Sequence, residues 1–223
     1  MTNEYSKYID HTLLAADASI EDITKLCNEA ILYNFKSVCV NPSYVKLAKT
    51  LLQDSDVLVC TVIGFPLGQN TTTSKVFETF DAIKNGADEI DMVINIAKLK
   101  ADDKMYNLLE INEIKRNCDN KVLKVIIETC LLDENEKIRA CNLIKESNAD
   151  FIKTSTGFSK AGAHIDDIVL FKDILGDSKL IKAAGGIKTF EDLKNMVEAG
   201  ANRIGTSKGV QLLTETISDS SEY

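Results

Sequence analysis

Short apolar runs recur along the chain about every 22–33 residues, with amphipathic stretches between them. The runs are Tyr8–Leu14, Ser37–Asn41, Val57–Phe65 and Glu89–Asn95, followed by Val122–Thr129, Asp150–Ser155, Lys179–Ala184 and Arg203–Thr206. Their Val and Ile content suits strands that are covered on both faces. Between them the apolar positions shift to helical spacing. After Ser19, residues Ile20, Ile23, Leu26, Cys27 and Ala30 follow that spacing, and Ser19 with Asp22 forms a capping pair. Further helices are expected over Ser43–Leu52, Thr73–Lys84, Tyr106–Asn117, Glu134–Glu146, Ile165–Leu175 and Phe190–Glu198, with a last one starting near Ser207–Gly209. Asp133 and Thr189 are expected caps, and Gly86, Gly176 and Gly200 stand where helices should stop. Eight strands alternating with eight helices is the count of a (β/α)8 TIM barrel. The rival, a doubly wound sheet, is disfavoured by that count and by the lack of a GxGxxG turn.

No linker or low-complexity stretch divides the chain, so residues 1–217 are expected to form one barrel domain and the polar segment 218–223 a flexible tail. A net charge of −8 argues against nucleic acid or an anionic membrane as partner, so an anionic ligand would need local groups to hold it. No run approaches the roughly 18 apolar residues of a membrane span. The six cysteines form no CxxC pair and read as free thiols of a reducing, cytoplasmic protein. The two histidines, His11 and His164, stand in no metal-ligand spacing, so neither a metal nor another cofactor is expected.

Three strands carry a lysine where an aliphatic residue would be ordinary. They are Lys124, Lys153 and Lys182, each 29 residues from the next. Lysine is seldom fully buried unless it is paired. In a barrel, functional groups gather at the C-terminal ends of strands. Polar residues there form one set: Asp10 and Thr12, Cys39 and Asn41, Asp91 and Asn95, Lys124 and Glu128, Lys153 and Thr156, Lys182, and Gly205 to Lys208. One lysine alone could be a salt-bridged core group; three on successive strands with aspartates nearby suit iminium chemistry. An amine of pKa about 10.4 is almost wholly protonated at neutral pH, and burial with a second ammonium nearby makes it nucleophilic. Asp91 is the carboxylate best placed to move protons; the bland alternative is a counter-ion for Lys124 or Lys182. Gly157, Gly185-Gly186 and Gly205-Thr206-Ser207 end strands six to eight, where barrels hold phosphate.

With these motifs in view, the chain resembles the deoxyribose-phosphate aldolases, a class I aldolase family. The carrying segments are Tyr8–Leu14, Glu89–Asn95, Leu123–Thr129, Phe151–Phe158, Lys182–Ile187 and Arg203–Ser207. The resemblance implies reversible cleavage of 2-deoxy-D-ribose 5-phosphate to D-glyceraldehyde 3-phosphate and acetaldehyde, in deoxyribonucleoside catabolism. It implies that Lys153 forms the Schiff base, that Lys182 perturbs it, and that Asp91 donates and accepts protons through a water. Lys124, Asp10, Thr12, Cys39 and Tyr223 would support the site, Cys39 as a thiol open to aldehydes and Tyr223 by reaching in from the terminus. Phosphate would sit on Gly157, Gly185, Gly186, Gly205, Thr206 and Ser207. A homodimer is also implied. The chain departs from the family's usual pattern at Ala15-Ala16, at Ala183-Ala184 and at Lys208, while Lys160 is a further cation near the site. An isomerase, another phosphate-binding barrel enzyme without an imine, or a non-catalytic phosphate sensor is the competing reading.

Overall fold

The computed structural model describes residues 4–219. Eight parallel strands close into a barrel, each paired with its neighbours in sequence and β8 with β1. They are β1 (Ile9–Leu13), β2 (Ser37–Val40), β3 (Leu58–Ile63), β4 (Glu89–Val93), β5 (Val122–Ile126), β6 (Phe151–Lys153), β7 (Leu180–Ala184) and β8 (Arg203–Thr206). The helices are α1 (Ile20–Leu32), α2 (Val45–Leu51), α3 (Thr72–Lys84), α4 (Ile96–Lys100), α5 (Lys104–Arg116), α6 (Glu134–Glu146), α7 (Ile165–Leu175), α8 (Phe190–Glu198) and α9 (Gly209–Asp219).

The expected capping residues act as such. Ser19, Asp133 and Thr189 each accept the backbone N–H three residues on, and the acidic side chain there bonds back to the cap. Two local departures matter for the site. Strand β5 stops at Ile126, three residues before the expected end, because Glu128 turns the chain in a left-handed conformation (φ +55°). A short helix, α4, which the spacing does not predict, is capped by Asn95 and fills the β4–α5 connection. The last helix runs to Asp219, so it includes the first two residues of the expected tail; Tyr223 and the rest of that tail lie outside the described residues.

Period-two alternation splits each strand between two environments. Outward residues such as Val38, Val59, Ile90, Met92, Val125, Ile152, Ile181 and Ile204 are fully buried under the helices and form the main apolar core. The inward face is different. A barrel interior is usually filled by branched aliphatic side chains. Here a small patch of Leu14, Cys39, Cys60 and Val62 is all that does so as a buried apolar cluster. Most of the rest of the interior is charged side chains, with Phe151 against Lys124 and Ser37 against Asp10 among them.

Candidate active site

Register explains why the charges meet. Asp91 stands opposite Lys124, Lys153 opposite Lys182, and Lys182 opposite Arg203. Glu89 lies two residues before Asp91 and therefore one tier lower on the same face. The lower tier is a closed ion network. Arg203 grips Glu89 with both terminal nitrogens at 2.9 and 2.8 Å. Its Nε donates to Asp10 Oδ1 at 2.7 Å, and Nη2 reaches the same oxygen. Ser37 adds a hydroxyl to that oxygen at 2.8 Å. Lys124 bonds Glu89 at 2.6 Å and Asp91 Oδ1 at 3.0 Å. Such burial costs several kcal/mol per ion unless the geometry repays it, and the bidentate clamp is the kind of geometry that does.

Asp91 joins the tiers. Its Oδ2 accepts from Lys153 and from Lys182, both at 2.7 Å. Lys182 also meets Asp10 Oδ2 at 2.5 Å, an ion pair without good hydrogen-bond geometry. The network thus holds four cations (Lys124, Lys153, Lys182, Arg203) against three carboxylates (Asp10, Glu89, Asp91). Burial alone would push the Asp91 carboxyl up, but the ammonium groups of Lys124, Lys153 and Lys182 outweigh it and hold the group well below the usual range. For Lys182 burial disfavours the charge, and Asp10 and Asp91 outweigh that and hold the ammonium well above its usual value. Lys124 is raised in the same way, burial being outweighed by Asp91, Cys60 and Glu89. These two lysines are fixed cations, and both are completely inaccessible.

Lys153 differs from them in one respect. Its side chain reaches a cavity of about 540 Å³ at the C-terminal end of the barrel, whose lining includes neither Lys124 nor Lys182. Thr12, Thr156, Gly157, Gly185, Gly186, Gly205, Thr206 and Ser207 line the same space. Thr12 is held by its hydroxyl donating to the Asp10 carbonyl at 2.8 Å. Asp91, Asp10 and Cys39 lie below the floor and are fully buried. Of the two loop lysines, Lys208 lines the cavity and Lys160 is exposed away from it; Lys188 is a further lining cation. Phe158 stands at the rim, edge-on to Phe65 with ring centres 5.3 Å apart.

The glycine set converges as expected and gains one member. Gly157, Gly185 and Gly186 all have positive φ. Gly162, which the sequence reading passes over, presses its backbone onto Gly185, and a Cβ there would lie 2.2 Å from the Gly185 carbonyl. The next residue, Ala163, donates its N–H to the Ala184 and Gly185 carbonyls at 3.1 and 3.0 Å. The β6–α7 loop is thereby pinned across the end of β7. Glu89 and Arg203 were also missed as interior groups. Their signal was present, since each sits two residues before a site residue on its own strand.

One group of possible metal ligands occurs among the described residues: Cys39, Cys60 and Asp91, with ligand atoms within 4.8 Å of one another. Lys124 Nζ already stands 3.6 Å from Cys60 Sγ and bonds Asp91, so a metal ion there would have to displace an ammonium. Burial raises the Cys60 thiol, whereas the hydrogen bond with Cys60 lowers that of Cys39. A second cavity, about 460 Å³, opens between α4, α5 and α6. Its charges are spent on each other, Lys104 with Glu146 at 2.7 Å and Arg139 with Asp102 at 3.1 Å.

The family model described as DeoC/LacD family aldolase matches residues 5–217. A deoxyribose-phosphate aldolase of Malacoplasma penetrans is 62% identical over 92% of this chain and 92% of its own length. One of Ureaplasma urealyticum is 59% identical over 95% of this chain and 98% of its own. The solved structure of an aldolase called QR15 superposes with a TM-score of 0.93 at 39% identity, covering 97% of both chains.

Proposed function

Because this chain belongs to the DeoC/LacD family of aldolases, and is thus a carbon–carbon lyase, we propose that it cleaves 2-deoxy-D-ribose 5-phosphate to D-glyceraldehyde 3-phosphate and acetaldehyde through an imine on Lys153. The single observation that carries this reading is that Lys153, alone of the three interior lysines, lines the cavity. An imine can form only where the carbonyl carbon can reach the amine. Attack also requires the free amine. Lys182 and Lys124 are each held by two carboxylates and stay cationic beside it, whereas Lys153 meets only Asp91.

Once the iminium forms, it withdraws the electron pair of the adjacent C2–C3 bond, and the enamine of acetaldehyde remains on Lys153. Asp91, kept ionised by its three ammonium neighbours, is a proton acceptor first. Its contact of 2.7 Å with Lys153 suits proton exchange at the reacting nitrogen, and through a water at the carbon next to it. The phosphate of the sugar would lie on the backbone of Gly157, Gly185 and Gly186 and on the Gly205–Ser207 turn, beside Lys208 and Lys188. That local supply of donors and cations offsets a chain whose net charge of −8 opposes an anion. All six cysteines are free, which fits a reducing cytoplasm. Exposed Phe77 and Phe80 on α3, next to α5 with Met105 and Leu109, are suited to self-association. Incubation with 2-deoxy-D-ribose 5-phosphate should release acetaldehyde, read by a coupled alcohol dehydrogenase assay. Phosphate-ligand binding without any release of acetaldehyde would overturn the assignment.

A further inference from the structure

The Glu128 carboxylate is buried outside the ion network, and its burial has no counter-ion to explain it. It is 2% exposed, and no lysine or arginine pairs with it among the described residues. Its backbone adopts φ +55°, ψ +67°, a left-handed conformation that a non-glycine residue takes at a cost. Both carboxylate oxygens accept from Thr156. The Thr156 N–H is shared between them at 3.3 Å each, and the Thr156 hydroxyl meets Oε2 at 2.5 Å. Thr156 in turn lines the cavity that Lys153 enters.

The direction of these bonds can be assigned. The Phe158 N–H lies 3.0 Å from Thr156 Oγ1 and can only donate, so Oγ1 accepts there. The single hydroxyl proton of Thr156 therefore points to Glu128. A hydroxyl has two lone pairs. One takes the Phe158 N–H, which leaves the other free to accept from a ligand. Thr156, a residue of the cavity lining, thus keeps one acceptor position free on a hydroxyl whose proton is directed to the Glu128 carboxylate.

From this geometry we infer that Thr156, backed by Glu128, removes the hydroxyl proton of the carbon that becomes the new aldehyde. The inference rests on the imine reading above. In cleavage, the substrate C3 hydroxyl gives its proton to Thr156 Oγ1, and Thr156 gives its own to Glu128 Oε2. The O–H electron pair forms the C=O bond, the C2–C3 pair moves to form the enamine, and the iminium nitrogen becomes neutral. In synthesis every transfer reverses. Thr156 touches the reacting hydroxyl; Glu128 acts through it. Asp91 and the lysines are left the protons at nitrogen and at C2, so the two acid–base tasks fall on separate groups.

Exchange of acetaldehyde methyl protons in D₂O needs the imine and enamine but no carbinol hydroxyl, which makes it the internal control. Glu128→Gln keeps the side-chain shape and an acceptor oxygen but cannot take the proton. It should lower cleavage about 100-fold, the ordinary size of a general-base effect, while methyl exchange stays within about twofold of the parent. Thr156→Val should show the same split, and Thr156→Ser should restore cleavage. If exchange and cleavage fall together in Glu128→Gln and Thr156→Val, the pair is structural and the relay is overturned. Undiminished cleavage overturns it as well. If the unmodified enzyme cleaves the sugar without exchanging methyl protons or forming a borohydride-trapped adduct, the imine reading fails first and takes the relay with it.

Discussion

Lys153 and Lys182 occupy the same register on adjacent strands, and both place Nζ 2.7 Å from the same oxygen of Asp91. They nevertheless belong to different regions. Lys182 is part of the lower, sealed tier, where Asp10, Glu89, Arg203 and Lys124 satisfy one another. Lys153 is part of the cavity floor, buried but lining the space, with one carboxylate contact. Local residue type and bond length are alike in the two; the difference is how many carboxylates hold each ammonium and whether a ligand can reach it. The lower tier is therefore read as the electrostatic frame, and the floor as the reacting surface.

The largest expected effect separates these roles most sharply. Lys153→Met should cut turnover by about 10⁴-fold or more, the scale on which loss of a covalent nucleophile acts. Its urea midpoint should stay near that of the parent, because Lys124, Lys182 and Arg203 remain to pair with Asp10, Glu89 and Asp91. Arg203→Met should do the reverse. It strands Asp10 and Glu89 without their shared cation, and loss of one partner of a buried pair costs about 3–5 kcal/mol. Urea unfolding would read that loss, and activity should fall only with the folded fraction. Equal destabilisation by both substitutions would erase the distinction between tiers.

Acid titration tests the frame by sign. Burial pushes Glu89 up, but Lys124 and Arg203 outweigh it, and its pKa in the fold is lowered. A lowered carboxylate stabilises the fold above its unfolded pKa of about 4.3 and loses that contribution as pH falls through the lower folded value. The stability gap between the parent and Glu89→Gln should thus be full at pH 7 and shrink below pH about 4. A gap that widens on acidification contradicts the ion-network reading. The smallest effect concerns the cavity rim. Gly162→Ala, with its Cβ 2.2 Å from the Gly185 carbonyl, should displace the Gly185-Gly186 backbone. The KM for the sugar phosphate should rise about tenfold, or about 1.4 kcal/mol, with kcat little changed. An unchanged KM would remove those amides from phosphate binding.

Much of this was legible in the chain itself. Short apolar runs separated by stretches of helical spacing located all eight strands, because a Val- and Ile-rich run and a capped amphipathic helix are local features. The three lysines stood out because a strand rarely carries one. What was missed depends on contacts between distant segments. The two-residue spacing marks Glu89 and Arg203 as inward-facing, but that they meet depends on β4 and β8 facing each other across the closed barrel. Gly162 looked like any loop glycine, and its constraint is the Gly185 backbone 23 residues later. Glu128 was noted among the polar strand-end residues, but its left-handed turn and its bond to Thr156 emerge only in three dimensions. The sequence could not choose between Lys153 and Lys182 without the resemblance; access to the cavity distinguishes them.

The most direct test of that distinction is to reduce the enzyme with borohydride in the presence of acetaldehyde and read the modified peptide by mass spectrometry. The cavity-floor assignment predicts one stable adduct, on Lys153, and none on the sealed Lys182 or Lys124. An adduct on Lys182, or no adduct in an enzyme that still cleaves the sugar phosphate, would contradict it.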